Sequence, residues 1–282
     1  MILYFECFSG ISGDMSVASL LDLGADKHAL LNALDSLNID GYKLEIDTKD
    51  KCGIFGTSFN VVLMDNSHSE ESENCHYHHV SEAGQDLSEE PELSHDEQDS
   101  KHCSHHHRNL KEILEIISES QLTENAKALA SKIFNILARA EAKAHNKSVD
   151  EVHFHEVGAV DSIVDIVSVA VCIDNLNITK VATSTVYEGT GFVKCAHGIM
   201  PVPVPAVVNI FQESGLKLRI TETRSELVTP TGAAVLAALV NIDSVPEEFH
   251  IVKTGIGVGH KDFPNANILR TMLIEEPKKK EL

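Results

Sequence analysis

The sequence predicts a mixed α/β fold: a mixed sheet with flanking helices, interrupted by a disordered His-rich acidic loop. Three observations carry that expectation. Short aliphatic stretches such as residues 2–7 and 54–64 read as strands and are interleaved with segments that open on helix-capping residues and continue at helical spacing. The 282 residues are 43% hydrophobic but only 5% aromatic, with no Trp, so the core must be mainly aliphatic. Apolar content then almost vanishes between residues 65 and 108, which cannot form a fold element. The expected organisation is one α/β domain from residues 1–64 and 109–276, the insertion at 65–108, and a polar tail at 277–282.

Taken in order, residues 2–7 form a strand that runs into Ser9-Gly10-Ile11-Ser12-Gly13-Asp14 and a helix to about residue 23. Strand, Gly-rich loop and helix is a layout in which backbone N–H groups and a helix N-terminus cradle an anion. It is not a Walker loop, because no Lys-Ser or Lys-Thr follows the glycines. Glu6 and Asp14 together suit a hard cation, Mg²⁺ or Mn²⁺; taken singly, Asp14 is an ordinary first-turn carboxylate. Asp26 caps a second helix to about residue 37. Residues 42–47 and 54–64 then read as a hairpin across a loop at 49–53.

The insertion holds two compact sets of imidazole and thiol donors. They are Cys75-His76-Tyr77-His78-His79 and His102-Cys103-Ser104-His105-His106-His107. Such ligands suit Ni²⁺, Zn²⁺ and Cu²⁺. Imidazole is largely unprotonated near neutrality, and the irregular spacing fits a labile store better than one closed tetrahedral site. Helices follow at about 109–118 and 123–145.

Next comes Val152-His153-Phe154-His155-Glu156-Val157-Gly158, leading into a helix over about 161–174 that is apolar almost all round. A helix of that kind is normally buried. Asp161, Asp165 and Ser168 nevertheless form one polar stripe along it, and buried carboxylates need a partner. His153, His155 and Glu156 beside Asp161 and Asp165 point to a metal or other cation between them. Singly, each has a structural explanation on an exposed strand or as a cap.

Residues 181–187 read as a strand, and Pro201, Pro203 and Pro205 as a stiff extended segment. His197 contributes to a site only if it converges on His153 and His155. In Glu226-Leu227-Val228-Thr229-Pro230-Thr231-Gly232, Thr229 caps a helix with Pro230 at its first position. Thr229, Thr231 and Gly232 offer a second anion cradle, with plain capping as the alternative. The run 253–261 misses GxGxxG because His260 stands where the last glycine belongs, so no dinucleotide site is expected. Residues 267–274 make the last strand.

The formal charge of -20 argues against nucleic acid as a partner. Six cysteines without a CxxC pair read as reduced thiols of a cytoplasmic protein. No apolar run reaches a membrane span, and the first residues lack a basic leader.

Cys7-Phe8-Ser9-Gly10-Ile11-Ser12-Gly13-Asp14-Met15 and His153-Phe154-His155-Glu156-Val157-Gly158-Ala159-Val160-Asp161-Ser162-Ile163-Val164-Asp165 resemble the nickel-insertion proteins of the nickel-pincer cofactor pathway, the LarC family. So do His197-Gly198, the 226–234 stretch and Gly255-Ile256-Gly257-Val258-Gly259. The resemblance implies insertion of Ni²⁺ into pyridinium-3,5-bisthiocarboxylic acid mononucleotide, a metal-insertion lyase chemistry that serves lactate racemase-type enzymes. It also implies dependence on CTP, bound by a separate C-terminal domain. The sequence departs there, ending soon after the Gly-rich segment, so a separately encoded or frameshifted partner is expected. On this reading His76, His78, His79, Cys103, His105, His106 and His107 gather nickel, and His153, His155, Glu156 and His197 hold it with Asp161 or Asp165. Glu6 and Asp14 serve a harder cation, while Ser9, Gly10, Ser12 and Gly13, or Thr229, Thr231 and Gly232, receive the substrate phosphate. A nickel or zinc store without catalysis and a metal-dependent hydrolase are the competing expectations.

Overall fold

A computed structural model describes residues 1–64, 108–151, 160–195 and 198–277. The expectations placed on His76, His78, His79, Cys103, His105, His106, His107, His153, His155, Glu156 and His197 lie outside the described residues.

The described chain contains a six-stranded mixed sheet in the order β2-β3-β9-β10-β1-β4. Its strands are β1 (Ile2–Glu6), β2 (Tyr42–Lys51), β3 (Ile54–Leu63), β4 (Val181–Thr183), β9 (His250–Val258) and β10 (Ile268–Glu275). The first strand is central: it pairs antiparallel with β10 and parallel with β4. Strand alternation explains how it serves two faces. Leu3 and Phe5, both fully buried, enter the main core, whereas Ile2 and Tyr4 belong to a small cluster with Met272, Ile274 and Phe249 on the opposite face.

Helix α1 (Gly13–Leu23) lies on β9, β3 and β10. Behind it pack α2 (Lys27–Asp35), α4 (Glu124–His145), α5 (Val160–Asn175), α6 (Pro205–Ser214) and α7 (Pro230–Leu239), with α3 (Leu110–Glu119) against α4. The cap expected at Asp26 is present, and α3 and α4 are capped as well. Asp26 accepts from His28 and Ala29, Thr123 from Ala126, and Asn109 forms a reciprocal box with Glu112. As its composition demands, α5 is sunk among α1, α2 and α4, with Ile163, Val164, Ile166, Val167, Val169 and Ala170 fully buried.

Three expectations are corrected. Strand β2 continues to Lys51, because Cys52 and Gly53 both take positive φ and close a two-residue turn, leaving 49–51 in the ladder. The single strand at 181–187 is two: β4, and β5 (Val186–Glu188), which pairs with β8 (Leu218–Ile220) in a separate small sheet. The proline segment is not uniformly extended. Pro201 ends β7 (Gly198–Pro201), the partner of β6 (Phe192–Cys195), while Pro205 opens α6. Proline suits both places, since a first-turn N–H has no helical partner anyway.

Candidate functional site

Five chain segments meet around a cleft of about 340 Å³ on the helical side of the sheet. Ser12, Gly13 and Asp14 come from the start of α1, Asp161, Ser162 and Asp165 from the first two turns of α5, and Glu226 and Thr229–Thr231 from the approach to α7. His260 follows β9, and Asn60 and Val61 come from β3. Three helix N-termini therefore open on one space, a concentration of positive backbone potential.

The approach of α1 and α7 is built from backbone. Ile11 N–H donates to the Leu227 carbonyl at 3.0 Å, and Thr229 N–H returns a bond to the Ile11 carbonyl at 3.1 Å. Gly232 sits so close that a Cβ there would lie 2.3 Å from the Ile11 carbonyl oxygen. Thr229 Oγ1 accepts from Gly232 N–H at 3.1 Å, so it does cap α7. Beneath this junction lies Glu188, a fully buried carboxylate from β5. Its Oε1 accepts from Gly189, Leu227 and Val228 N–H at 2.7, 2.8 and 3.2 Å, and thereby fixes the 226–229 loop.

The electrostatics of the cleft are unusual. Asp165 shows a small window to the surface, but its Oδ1 is closed off from solvent and has no hydrogen-bond partner among the described residues. Burial, then the neighbouring Asp14 and Asp161 carboxylates, push its pKa well above the ordinary range; only the Asp14 N–H opposes them. A Cβ on Gly13 would lie 2.4 Å from Asp165 Oδ2, so only glycine lets α1 come this close to the carboxyl. Asp14 bonds the Ser12 hydroxyl, and its Oδ2 is 3.2 Å from His260 Nε2. The Asp14 hydrogen bond raises the His260 pKa above 6.5, against partial burial and with help from the Phe59 carbonyl. Asp161 Oδ1 accepts from Ser162 N–H at 2.8 Å.

Asp14, Asp161, Asp165, Ser12, Gly13, Thr229 and Thr231 thus line one cleft, with Gly232 immediately behind. Ser9, Gly10 and Glu6 are not among the lining residues. Ser9 is buried, donating to the Ala266 carbonyl at 2.8 Å and accepting from Asn265, while Gly10 turns the chain at φ 80°. Glu6 accepts from Arg270 Nε at 2.6 Å and lines a different cleft, of about 450 Å³, with Tyr4, Phe249 and Arg270. Glu6 and Asp14 therefore line different clefts, and the carboxyl beside Asp14 is that of Asp165. His260 and Glu226 are additions. The available signal was position: His260 ends a strand whose glycines pack against α1, and Glu226 precedes a helix cap.

Among the described residues no group of three or more His, Cys, Asp or Glu side chains is gathered so as to hold a metal ion. No helix among the described residues is long and apolar enough to cross a membrane.

No solved structure matches the chain. Among curated relatives, a pyridinium-3,5-bisthiocarboxylic acid mononucleotide nickel insertion protein of Alkaliphilus metalliredigens is 53% identical over 276 residues, 97% of this chain and 60% of that protein. The protein of the same name from Clostridium acetobutylicum is 46% identical, covering 98% and 64%. That from Acetivibrio thermocellus is 39% identical, covering 100% and 62%. The chain thus spans 60–64% of the length of these relatives. A family model described as nickel insertion protein matches residues 3–282, and the chain belongs to that family.

Proposed function

We propose that this chain binds Ni²⁺ and inserts it into pyridinium-3,5-bisthiocarboxylic acid mononucleotide, as the names of its relatives state for them. The observation that supports the reading is a carboxylate-lined cleft on which three helix N-termini open and whose α5 wall directly follows His153, His155 and Glu156 in the sequence. A protein that must surrender its metal needs exchangeable coordination positions, whereas a saturated cage would trap the ion. The substrate supplies two thiocarboxylate sulfurs and a ring carbon. As the nickel–carbon bond forms, the ring C–H proton leaves to a base in the cleft, so the metal gains a carbon ligand while one proton is released.

His153, His155 and Glu156 directly precede α5 in sequence, and with His197 they are the nickel ligands we assign beside Asp161 or Asp165. The residues His76, His78, His79, Cys103, His105, His106 and His107 raise the local nickel concentration. Classification as a nickel chelatase, dependence on CTP bound by a further domain, delivery to a racemase-type enzyme and a cytoplasmic location belong to the same proposal. The hydrolase alternative gains no support, since a catalytic metal normally keeps three protein ligands and the described residues offer no such set.

The test mixes the chain, Ni²⁺ and the metal-free pincer precursor, with and without CTP, and follows absorbance and activation of a nickel-pincer-dependent racemase. Transfer above a no-protein control is the expected result. Failure under both conditions, with nickel bound to the chain, overturns insertion and leaves storage. Deleting residues 65–108 should weaken transfer only at limiting nickel; abolition at saturating nickel would remove the relay from the account.

A further inference from the structure

The cleft combines two features that conflict for any single ligand. Three helix N-termini favour an anion, and Ser12 adds no capping bond to the backbone N–H groups of α1. Asp14, Asp161, Asp165 and Glu226 line the same space and would repel a bare phosphate. A lone cation meets the opposite difficulty, since the described carboxylates do not gather into a cage. One ligand satisfies both halves: a phosphate that arrives with a hard divalent cation. Mg²⁺ and Mn²⁺ are typically held by one or two carboxylates and complete their shells from phosphate oxygens and water.

The enclosed Asp165 carboxyl is the second, independent sign. Among the described residues its Oδ1 has no partner, and neither a guanidinium nor a second donor stands beside it. Rotation about χ2 exchanges the two oxygens, so either one can turn to an ion in the cleft. Gly13 keeps that path open, because any side chain there would fill the space against Asp165. Asp14 stands on the near side, already oriented by Ser12 and His260.

We propose that this cleft binds a phosphate monoester through a bridging Mg²⁺-class cation held by Asp14 and Asp165, with the phosphate oxygens resting on the N-termini of α1 and α7. The inference deepens the proposed function, because a mononucleotide carries such a phosphate, but it does not depend on nickel transfer. The hard-cation site is separate in chemistry from nickel capture. Oxygen donors select Mg²⁺ and Mn²⁺, while imidazole and thiol select nickel.

The experiment uses the full chain, Mn²⁺ as probe and phenyl phosphate as a minimal monoester. Mn²⁺ binding is read by electron paramagnetic resonance, and proximity of the phosphate by paramagnetic broadening of its ³¹P resonance. Wild type should bind Mn²⁺ and broaden the ³¹P line. Asp165→Asn and Asp14→Asn should each weaken the cleft Mn²⁺ by about 10- to 100-fold, the usual cost of losing a metal-orienting group, and abolish the extra broadening. Thermal denaturation of each variant establishes that it is folded; an unfolded Asp165→Asn leaves Asp14→Asn to decide. Equal Mn²⁺ affinity in a folded variant and wild type overturns the site. Mn²⁺ binding without ³¹P broadening overturns the bridge. Nickel loading, measured separately by equilibrium dialysis, should be retained in Asp14→Asn; failure of the wild type to load or transfer nickel, with Mn²⁺ binding and ³¹P broadening intact, would count against the nickel reading and not against this one.

Discussion

The two faces of the sheet hold two clefts, and each carries carboxylates. On the face bearing Tyr4 and Met272, Glu6 sits directly opposite Arg270 in the β1–β10 ladder, and the guanidinium bonds its Oε2 through Nε and Nη2. On the helical face, Asp165 is enclosed beside two further aspartates, with no arginine or lysine among the lining residues. The first arrangement is complete as it stands: cross-strand register supplies the counter-ion. In the second, folding has placed like charges side by side at a cost, with the His260 imidazole set against Asp14. Charge that the fold neutralises itself is architecture, and charge left for a ligand marks a site.

The largest expected effect concerns how the helical cleft is held open. Glu188 Oε1 collects three buried N–H groups, two of them from the loop that carries Glu226 and Thr229. Glu188→Ala leaves these donors without an acceptor, each at about 1–3 kcal/mol. Partial rescue by water brings the total to roughly 3–5 kcal/mol, to be read from urea denaturation midpoints. Glu188→Gln keeps a carbonyl oxygen and should lose less than half as much. A loss under about 1 kcal/mol for Glu188→Ala would show that the 226–229 loop is held by other contacts, and would erase much of the contrast between the clefts.

A smaller effect, with the opposite sign, is expected at Asp165. Its folded pKa is raised above the unfolded value of 3.8. A raised value means that stability is fully present below the unfolded pKa and is lost as pH rises through the folded one. Asp165→Asn removes that loss, keeps an acceptor for the Asp14 N–H and offers donors to Asp14 and Asp161. The variant should match wild type near pH 4 and become more stable by about 1–2 kcal/mol towards neutral pH, the scale of one unsatisfied buried polar group. Melting temperatures across that range, without divalent cation, check it. A variant less stable than wild type at neutral pH would mean that Asp165 already has its partner inside the protein.

Much of this was legible in the residues, for local reasons. The helix caps at Asp26 and Thr229 are read from side chains that bond their own backbone within three residues. The burial of α5 and the polar stripe of Asp161 and Asp165 followed from helical spacing. What was not legible depended on distant pairing. Arg270 lies opposite Glu6 only because β10 returns beside β1 at one particular register, and nothing near Glu6 in the sequence announces it. His260 reaches Asp14 because β9 runs under α1 and ends there, a contact across 246 positions. The helix at 205–214 was hidden by its prolines, which read as an extended run although Pro205 occupies the first helical position.

The mildest expected outcome tests the comparison from its quiet side. Glu6→Gln removes the carboxylate that Arg270 bonds but keeps the shape of the side chain and one carbonyl acceptor. Glu6 is 15% exposed at its side chain, whereas Arg270 is 45% exposed. Water therefore screens the guanidinium and supplies replacement bonds when its partner goes. The loss should stay near 0.5–1 kcal/mol, the range for a partly exposed pair, and shrink further at high salt. Mn²⁺ affinity and ³¹P broadening should match wild type, because Glu6 belongs to the cleft on the other face. Nickel transfer should likewise be unchanged. If Glu6→Gln instead reduces Mn²⁺ binding as strongly as Asp165→Asn does, the Glu6–Arg270 pair is part of the ligand machinery. A paired carboxylate would then no longer distinguish framework from site in this protein.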